Sequence, residues 1–297
     1  GQHWVSRYKS VCEASRIEPL FGVVLRFEKL AGDGIERLDL ANMPLSLKTA
    51  TAIADTITLL PELMANVKAI DLGDSMLGDE GCDVICKALK SSSIEELILR
   101  GNNIKQLGAI SVASLLKENR TLTKLCLEWN SIGLFDKGLF DLGEAVRDHH
   151  SLEELDLRNN RIGPQAAASF SRFLLDNHCL KRLDLRWNHI GILGGKALAE
   201  VLKSNMALIA VACTGNDIPD DLLQAIESST LRNRESVQMR EEKDTLLKSR
   251  NKQLESLSSQ LRTQSTHAEE LKSVLAEKTK EMEETSAMKM KVMEDKL

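Results

Sequence analysis

The stretch Leu152-Glu153-Glu154-Leu155-Asp156-Leu157-Arg158-Asn159-Asn160-Arg161-Ile162 fills the pattern L-x-x-L-x-L-x-x-N-x-I at every position, and the pattern recurs. Leu180, Leu183, Leu185, Asn188 and Ile190 repeat it, and variant copies begin at Ile35, Val67, Ile94, Leu122 and Leu208. Successive starts lie 32, 27, 28, 30, 28 and 28 residues apart, near the period of about 20–29 residues expected of leucine-rich repeats. Seven copies in register define a solenoid.

Each slot has a physical task. Strand alternation turns Leu155 and Leu157 inward and leaves Asp156 on the concave face. The loop asparagine, present as Asn102, Asn130, Asn160, Asn188 and Asn216, offers an amide to backbone groups that the turn leaves unpaired. Met43 and Ser75 hold that slot in the first two copies, so those turns are expected to be satisfied otherwise and to be less regular. Between strands, runs such as Gly194 to Leu202 place apolar residues at helical spacing. The expected fold is α/β: a horseshoe of the ribonuclease-inhibitor subclass, with a parallel sheet inside and helices outside.

A repeat array needs closed ends. Trp4, Tyr8, Val11 and Cys12 share one helical face, and Leu20, Val23, Val24 and Phe27 form a second after Pro19, so residues 1–31 read as a helical N-terminal cap and 32–221 as the solenoid. The last strand is apolar at its outward slots, Ile209, Ala210 and Ala212, which predicts a covering element. From about residue 222 the composition changes to Lys, Glu, Gln, Ser and Leu without Gly or Pro. One seam there reads Leu247, Leu254, Leu261, Ala268, Leu275 and Met282; the other reads Arg250, Leu257, Gln264, Leu271, Lys278 and Thr285. Residues 222–297 are therefore expected to form an imperfect coiled-coil helix on the order of 110 Å long, with Leu247, Leu254, Leu257, Leu261, Leu271 and Leu275 as its seam. So long and polar a helix requires a partner, by homodimerisation or by docking along a larger filament. Because residue 1 is Gly and the heptads are unfinished at Leu297, the chain reads as a segment of a longer one.

Composition narrows the function class. Aromatics make up 3% and the net charge is -5, so packing rests on leucine, and no global basic field draws nucleic acid or an anionic membrane. No apolar run approaches the ~20 residues of a membrane span, and nothing follows Arg7 and Lys9 that resembles a secretory signal. A soluble intracellular protein is expected, with its six cysteines reduced and the sequon Asn119-Arg120-Thr121 unused.

Candidate chemistry is sparse, and no catalytic, cofactor or metal site is expected. Gly191 to Ala197 imitates a phosphate loop but has one residue too few between its glycines and Ala197 in place of a hydroxyl. Cys82 and Cys86 lack the further ligands a metal site needs and read as buried helix thiols. His149, His150 and His178 read as solvated turn residues. The concave ladder Asp39, Asp71, Asp156 and Asp184 reads as a face neutralised by Arg100, Arg158, Arg182 and Arg186, or as a surface for a basic peptide. Ile98 and Cys126 interrupt it at mid-array. Trp129 and Trp187, in Glu128-Trp129-Asn130 and Arg186-Trp187-Asn188, hold equivalent places along one edge with Asn159 between them. Each indole either packs on the neighbouring repeat or anchors a partner.

The runs Leu127 to Gly133, Leu155 to Asn160 and Leu183 to Asn188, with Gly194 and Gly195, resemble the leucine-rich repeat-containing protein 45 family over about residues 4 to 230; beyond that the likeness is one of architecture. The resemblance implies a non-catalytic scaffold of centrosomes, basal bodies and cilia, whose coil assembles with cytoskeletal coiled-coil partners such as rootletin. An axonemal, microtubule-associated role would use the same architecture. The rival is a regulator gripping a small GTPase or an enzyme in its concave face, which needs no coil.

Overall fold

The computed structural model describes residues 2–30 and 36–294. The first repeat start, Ile35, and the terminal residues Gly1 and Leu297 lie outside that set. The chain divides into two compact units, residues 1–235 and 236–297.

In the first unit, helices α1 (Gln2–Ala14) and α2 (Phe21–Lys29) precede a seven-stranded parallel sheet in sequential order. Its strands are β1 (Arg37–Asp39), β2 (Ala69–Asp71), β3 (Glu96–Ile98), β4 (Lys124–Cys126), β5 (Glu154–Asp156), β6 (Arg182–Asp184) and β7 (Ala210–Ala212). Helices α3 (Leu47–Leu59), α4 (Pro61–Met64), α5 (Gly78–Leu89), α6 (Gln106–Glu118), α7 (Asp136–Arg147), α8 (Pro164–Leu174) and α9 (Gly191–Ser204) connect them. The register is one residue per repeat: Leu38, Ile70, Leu97, Leu125, Leu155, Leu183 and Val211 form the inward row, and Asp39, Asp71, Ile98, Cys126, Asp156, Asp184 and Ala212 the row beside it. Such three-residue strands cannot stand alone; the buried leucines beneath them hold the sheet together.

Asparagine ties one repeat to the next. The Asn102 amide donates to the Leu72 carbonyl at 2.7 Å, and its oxygen accepts from the Ser75 and Leu77 amides. Asn130, Asn160, Asn188 and Asn216 reach back in the same way to Leu99, Leu127, Leu157 and Leu185. Where the slot holds Ser75, its hydroxyl donates to the Leu40 carbonyl at 3.0 Å, the substitute that turn requires.

A second ladder runs behind the first, three residues before the repeat starts at Leu122, Leu152, Leu180 and Leu208. Asn119, Asn177 and Asn205 are buried, donate to carbonyls of the preceding repeat, and accept from amides two and three residues ahead. His149 stands in this ladder, which corrects the expectation of a solvated turn residue; His150 and His178 are exposed. Its Nε2 lies 3.0 Å from the Asn119 carbonyl, and its Nδ1 accepts from the amides of Ser151 and Leu152. These partners fix the tautomer with the proton on Nε2, and burial depresses the imidazole pKa. The Asn119 side chain is committed to Leu89 and Ser92, so the acceptor asparagine of the sequon is buried.

Both ends of the array are closed. Trp4 stacks on Phe27 with centroids 5.3 Å apart, and Tyr8 meets the same ring edge-on at 5.4 Å. At the far end the first turns of α10 (Asp220–Glu294) bury Ile226, Thr230 and Asn233. Asn233 is the next rung of the second ladder: its amide donates to the carbonyls of Asn205 and Leu208 at 2.8 and 2.9 Å. Here the helix runs on instead of turning into another strand. The glycines of the stretch that imitates a phosphate loop serve packing, since a Cβ on Gly194 would meet Ile190 at 2.4 Å and one on Gly195 would meet Ile218 at 2.7 Å. Cys82 and Cys86 are buried with sulfurs 3.8 Å apart, as free thiols.

In the second unit, residues 236–294 are helical, and Leu247, Leu254, Leu257, Leu261, Leu271 and Leu275 are all exposed, Leu275 to 70%. Among the described residues no helix is long and apolar enough to cross a membrane.

Candidate functional site

On the concave face the charges pair with one another. Arg37 reaches Asp71 at 2.6 Å and Glu96 at 3.1 Å. Arg158 contacts Asp156 at 2.6 Å, Glu128 at 3.0 Å and Asp184 at 3.5 Å, while Arg186 closes on Asp184 at 2.6 Å and Arg182 on Glu154. Arg100 pairs with Asp74 in the loop at 2.6 Å, and Asp71 is held instead by Arg37 and by the Gly73 amide. These carboxylates raise the pKa of Arg158 and hold the guanidinium in place.

Cys126, Glu128 and Asp156 bring one thiol and two carboxylates within 4.8 Å, but the Arg158 guanidinium already occupies their charge. Burial, ahead of the neighbouring carboxylates, pushes the Cys126 thiol up to about 11, so it stays protonated and a weak ligand at neutral pH. Ile98, beside Cys126 in the register, is the apolar break in the row.

The edge row is different in kind. The residue before each loop asparagine, or before the Ser or Met in its place, is in the left-handed region in all seven repeats: Asn42, Asp74, Gly101, Trp129, Asn159, Trp187 and Gly215. That conformation lets its amide donate to the next repeat, as Trp129 does to the Arg158 carbonyl and Trp187 to that of Thr214, both at 3.0 Å. Gly, Asn and Asp adopt it at low cost. A bulky side chain there is a true outlier, costing about 1–3 kcal/mol. Trp129 has φ 56° and Trp187 φ 59°, and each is 59% exposed. Trp187 rests on Gly215, where an added Cβ would come within 2.5 Å of the indole. Between and around the two rings lies an open groove of about 680 Å³, lined by Asn103, Asn159, Arg161 and His189 among others.

The sequence singled out both indoles but not the strain beneath them. The signal was present: five of the seven residues in that column are Gly, Asn or Asp, and the tryptophans break the rule. The second ladder was also missed, although Asn or His recurs three residues before a repeat start at 119, 149, 177 and 205, and again at 233, one repeat length further on.

Comparison with known proteins agrees with the geometry. A family model described as Leucine Rich repeat matches residues 90–113, 148–171 and 176–199. Leucine-rich repeat-containing protein 45 of Gallus gallus is 34% identical over 169 residues, 56% of this chain and 24% of that protein. The ribonuclease inhibitor of Sus scrofa is 30% identical over 217 residues, 63% of this chain and 47% of the inhibitor. Protein CARMIL of Dictyostelium discoideum is 30% identical over 145 residues, 46% of this chain and 14% of that protein. The chain thus carries leucine-rich repeats of the ribonuclease-inhibitor type followed by a long helix, and it spans less than half the length of each of these relatives.

Proposed function

We propose that this chain is a non-catalytic scaffold of the cytoskeleton, at the centrosome, basal body or cilium. In this reading the tryptophan edge of the repeats holds a protein partner, and the helix beyond residue 235 oligomerises or docks on other coiled coils. An axonemal placement on microtubules is the variant the same parts would serve. The carrying observation is the pair of exposed indoles in left-handed backbone flanking one groove. A stability cost borne twice at equivalent places, where Asn or Gly would fit, is consistent with anchors kept for binding. The exposed leucine seam supports the second half of the reading. The cytoskeletal placement rests on what the resemblance to the leucine-rich repeat-containing protein 45 family implies, a likeness supported by 34% identity to the chicken protein over 169 residues. Against the rival regulator stands the concave face, whose carboxylates already have arginine partners.

Proximity labelling with the chain and with a Trp129→Asn/Trp187→Asn variant tests the edge. The variant is expected to lose a defined set of neighbours while keeping its fold. If the neighbours are unaffected by that variant but lost on Arg158→Ala, the concave face is the site and the edge reading falls.

A further inference from the structure

The two seam columns of the second unit differ in a way that bears on how the helix pairs. Leu247, Leu254, Leu261, Ala268, Leu275 and Met282 are apolar throughout, whereas the column three residues on places Arg250, Gln264 and Lys278 at every second turn of the heptad, alternating with Leu257, Leu271 and Thr285. Leu247, Leu254, Leu257, Leu261, Leu271, Leu275 and Met282 are exposed along this face.

Direction decides what each polar residue meets. In a parallel, in-register pair each column packs on its own copy, so Arg250 meets Arg250, Lys278 meets Lys278 and Gln264 meets Gln264 of the second chain. Two of these layers force like charges together as they lose water. Reversing one helix sets each column against the other. In the reversed register that overlaps all of 247–285, Arg250 faces Met282, Gln264 faces Ala268 and Lys278 faces Leu254, while Leu257 faces Leu275 and Leu261 faces Leu271. The long stems of Arg250 and Lys278 then lie along an apolar neighbour and carry their charge out to water. The flanking positions bring Gln253 to Glu281 and Ser258 to Lys272, with no like-charged pair. At the centre His267 meets His267, each 3.7 Å from its own Glu270.

We propose that residues 247–285 pair with the same segment of a second copy of this chain running in the opposite direction, centred near residue 266. This rests on the reading that the helix oligomerises and adds orientation to it. Antiparallel pairing has the two chains enter the shared coil from opposite ends.

The test uses residues 1–297. Leu257→Cys and Leu275→Cys chains are made separately, mixed in equal amounts, oxidised mildly, and their linked peptides identified by mass spectrometry, which separates the new bridges from any formed by the six native cysteines. Facing core positions are within disulfide reach. The expected result is a 257–275 bridge exceeding the 257–257 and 275–275 bridges by about tenfold. Predominance of the two self-bridges overturns the proposal and leaves oligomerisation standing. A chain that sediments as a monomer at every concentration removes the oligomerisation reading itself, and the orientation with it. As a second arm, Arg250→Leu/Lys278→Leu removes the charges that forbid the parallel pair and is expected to raise the self-bridges severalfold; no rise would show that those charges do not set direction.

Discussion

Replacing His149 separates a structural imidazole from a decorative one. His149→Ala deletes the group that accepts from the Ser151 and Leu152 amides and meets the Asn119 carbonyl, and it does so in a site only 1% exposed. Each buried group left without a partner costs about 1–3 kcal/mol, and the void adds to this, so a loss of roughly 4 kcal/mol is expected. His149→Asn restores the residue type of the other rungs. Asn177 and Asn205 make the same pattern of contacts with a shorter side chain, so its cost should stay near ~1 kcal/mol. The pH dependence follows with its sign. Burial lowers the folded pKa, so below the unfolded value of ~6.5 the unfolded chain takes up a proton that the folded chain refuses. The stabilisation from His149 is complete above that pH and is lost as pH falls through the folded pKa. Protonation would also place an Nδ1 donor against two amide donors. Hydrogen exchange at the Ser151 and Leu152 amides, at pH 7.5 and pH 5.5, reads both effects. Equal losses in the Ala and Asn variants, or an acid-induced loss of protection as large in the Asn variant as in the wild type, would refute the reasoning.

Trp129→Asn is expected to raise stability by roughly 1 kcal/mol in urea unfolding by relieving left-handed strain, while weakening partner capture; a stability loss above that size would mean the indole is there for packing. Gly215→Ala combines a φ of 75° with a collision against Trp187 and should shift the fluorescence of that indole and cost about 1–2 kcal/mol. Arg158→Ala leaves Glu128, Asp156 and Asp184 without their shared cation. A loss of about 2 kcal/mol, partly recovered by added zinc at the Cys126, Glu128 and Asp156 cluster, is expected, with no zinc response in the wild type. Ending the chain at residue 221 removes Ile226, Thr230 and Asn233 from the closed end of the array and should cost about 3–5 kcal/mol relative to a chain ending at 235, measured by thermal unfolding.

The parts of this molecule that were legible in its sequence are those the repeat period imposes. Leu155 and Leu157 recur because one inward row must stay continuous, and Asn160 recurs because one carbonyl per repeat needs an amide. His149 was illegible for the opposite reason: a His-His pair looks solvated, and what buries the first member is the Asn119 carbonyl thirty residues back. Arg100 was expected to neutralise the aspartate ladder, yet it turns to Asp74, a choice of rotamer that no spacing encodes. Ile209, Ala210 and Ala212 suggest a cover over the last strand, yet they stay half-buried, and the first turns of α10 close the end of the array at the carbonyls of Leu202, Asn205 and Leu208 instead. Ile226, Thr230 and Asn233 lie at helical spacing at the start of a long polar helix and read as coil until the carbonyls of Asn205 and Leu208 are seen waiting for them.

The scaffold account is tested most directly by localising the tagged chain against a version ending at residue 235, the cut that leaves the repeat array closed, in ciliated cells. It predicts that the chain concentrates at centrosomes, basal bodies or the axoneme and that the shortened version disperses. A diffuse signal for both, with one enzyme or GTPase captured equally well by each, would contradict it.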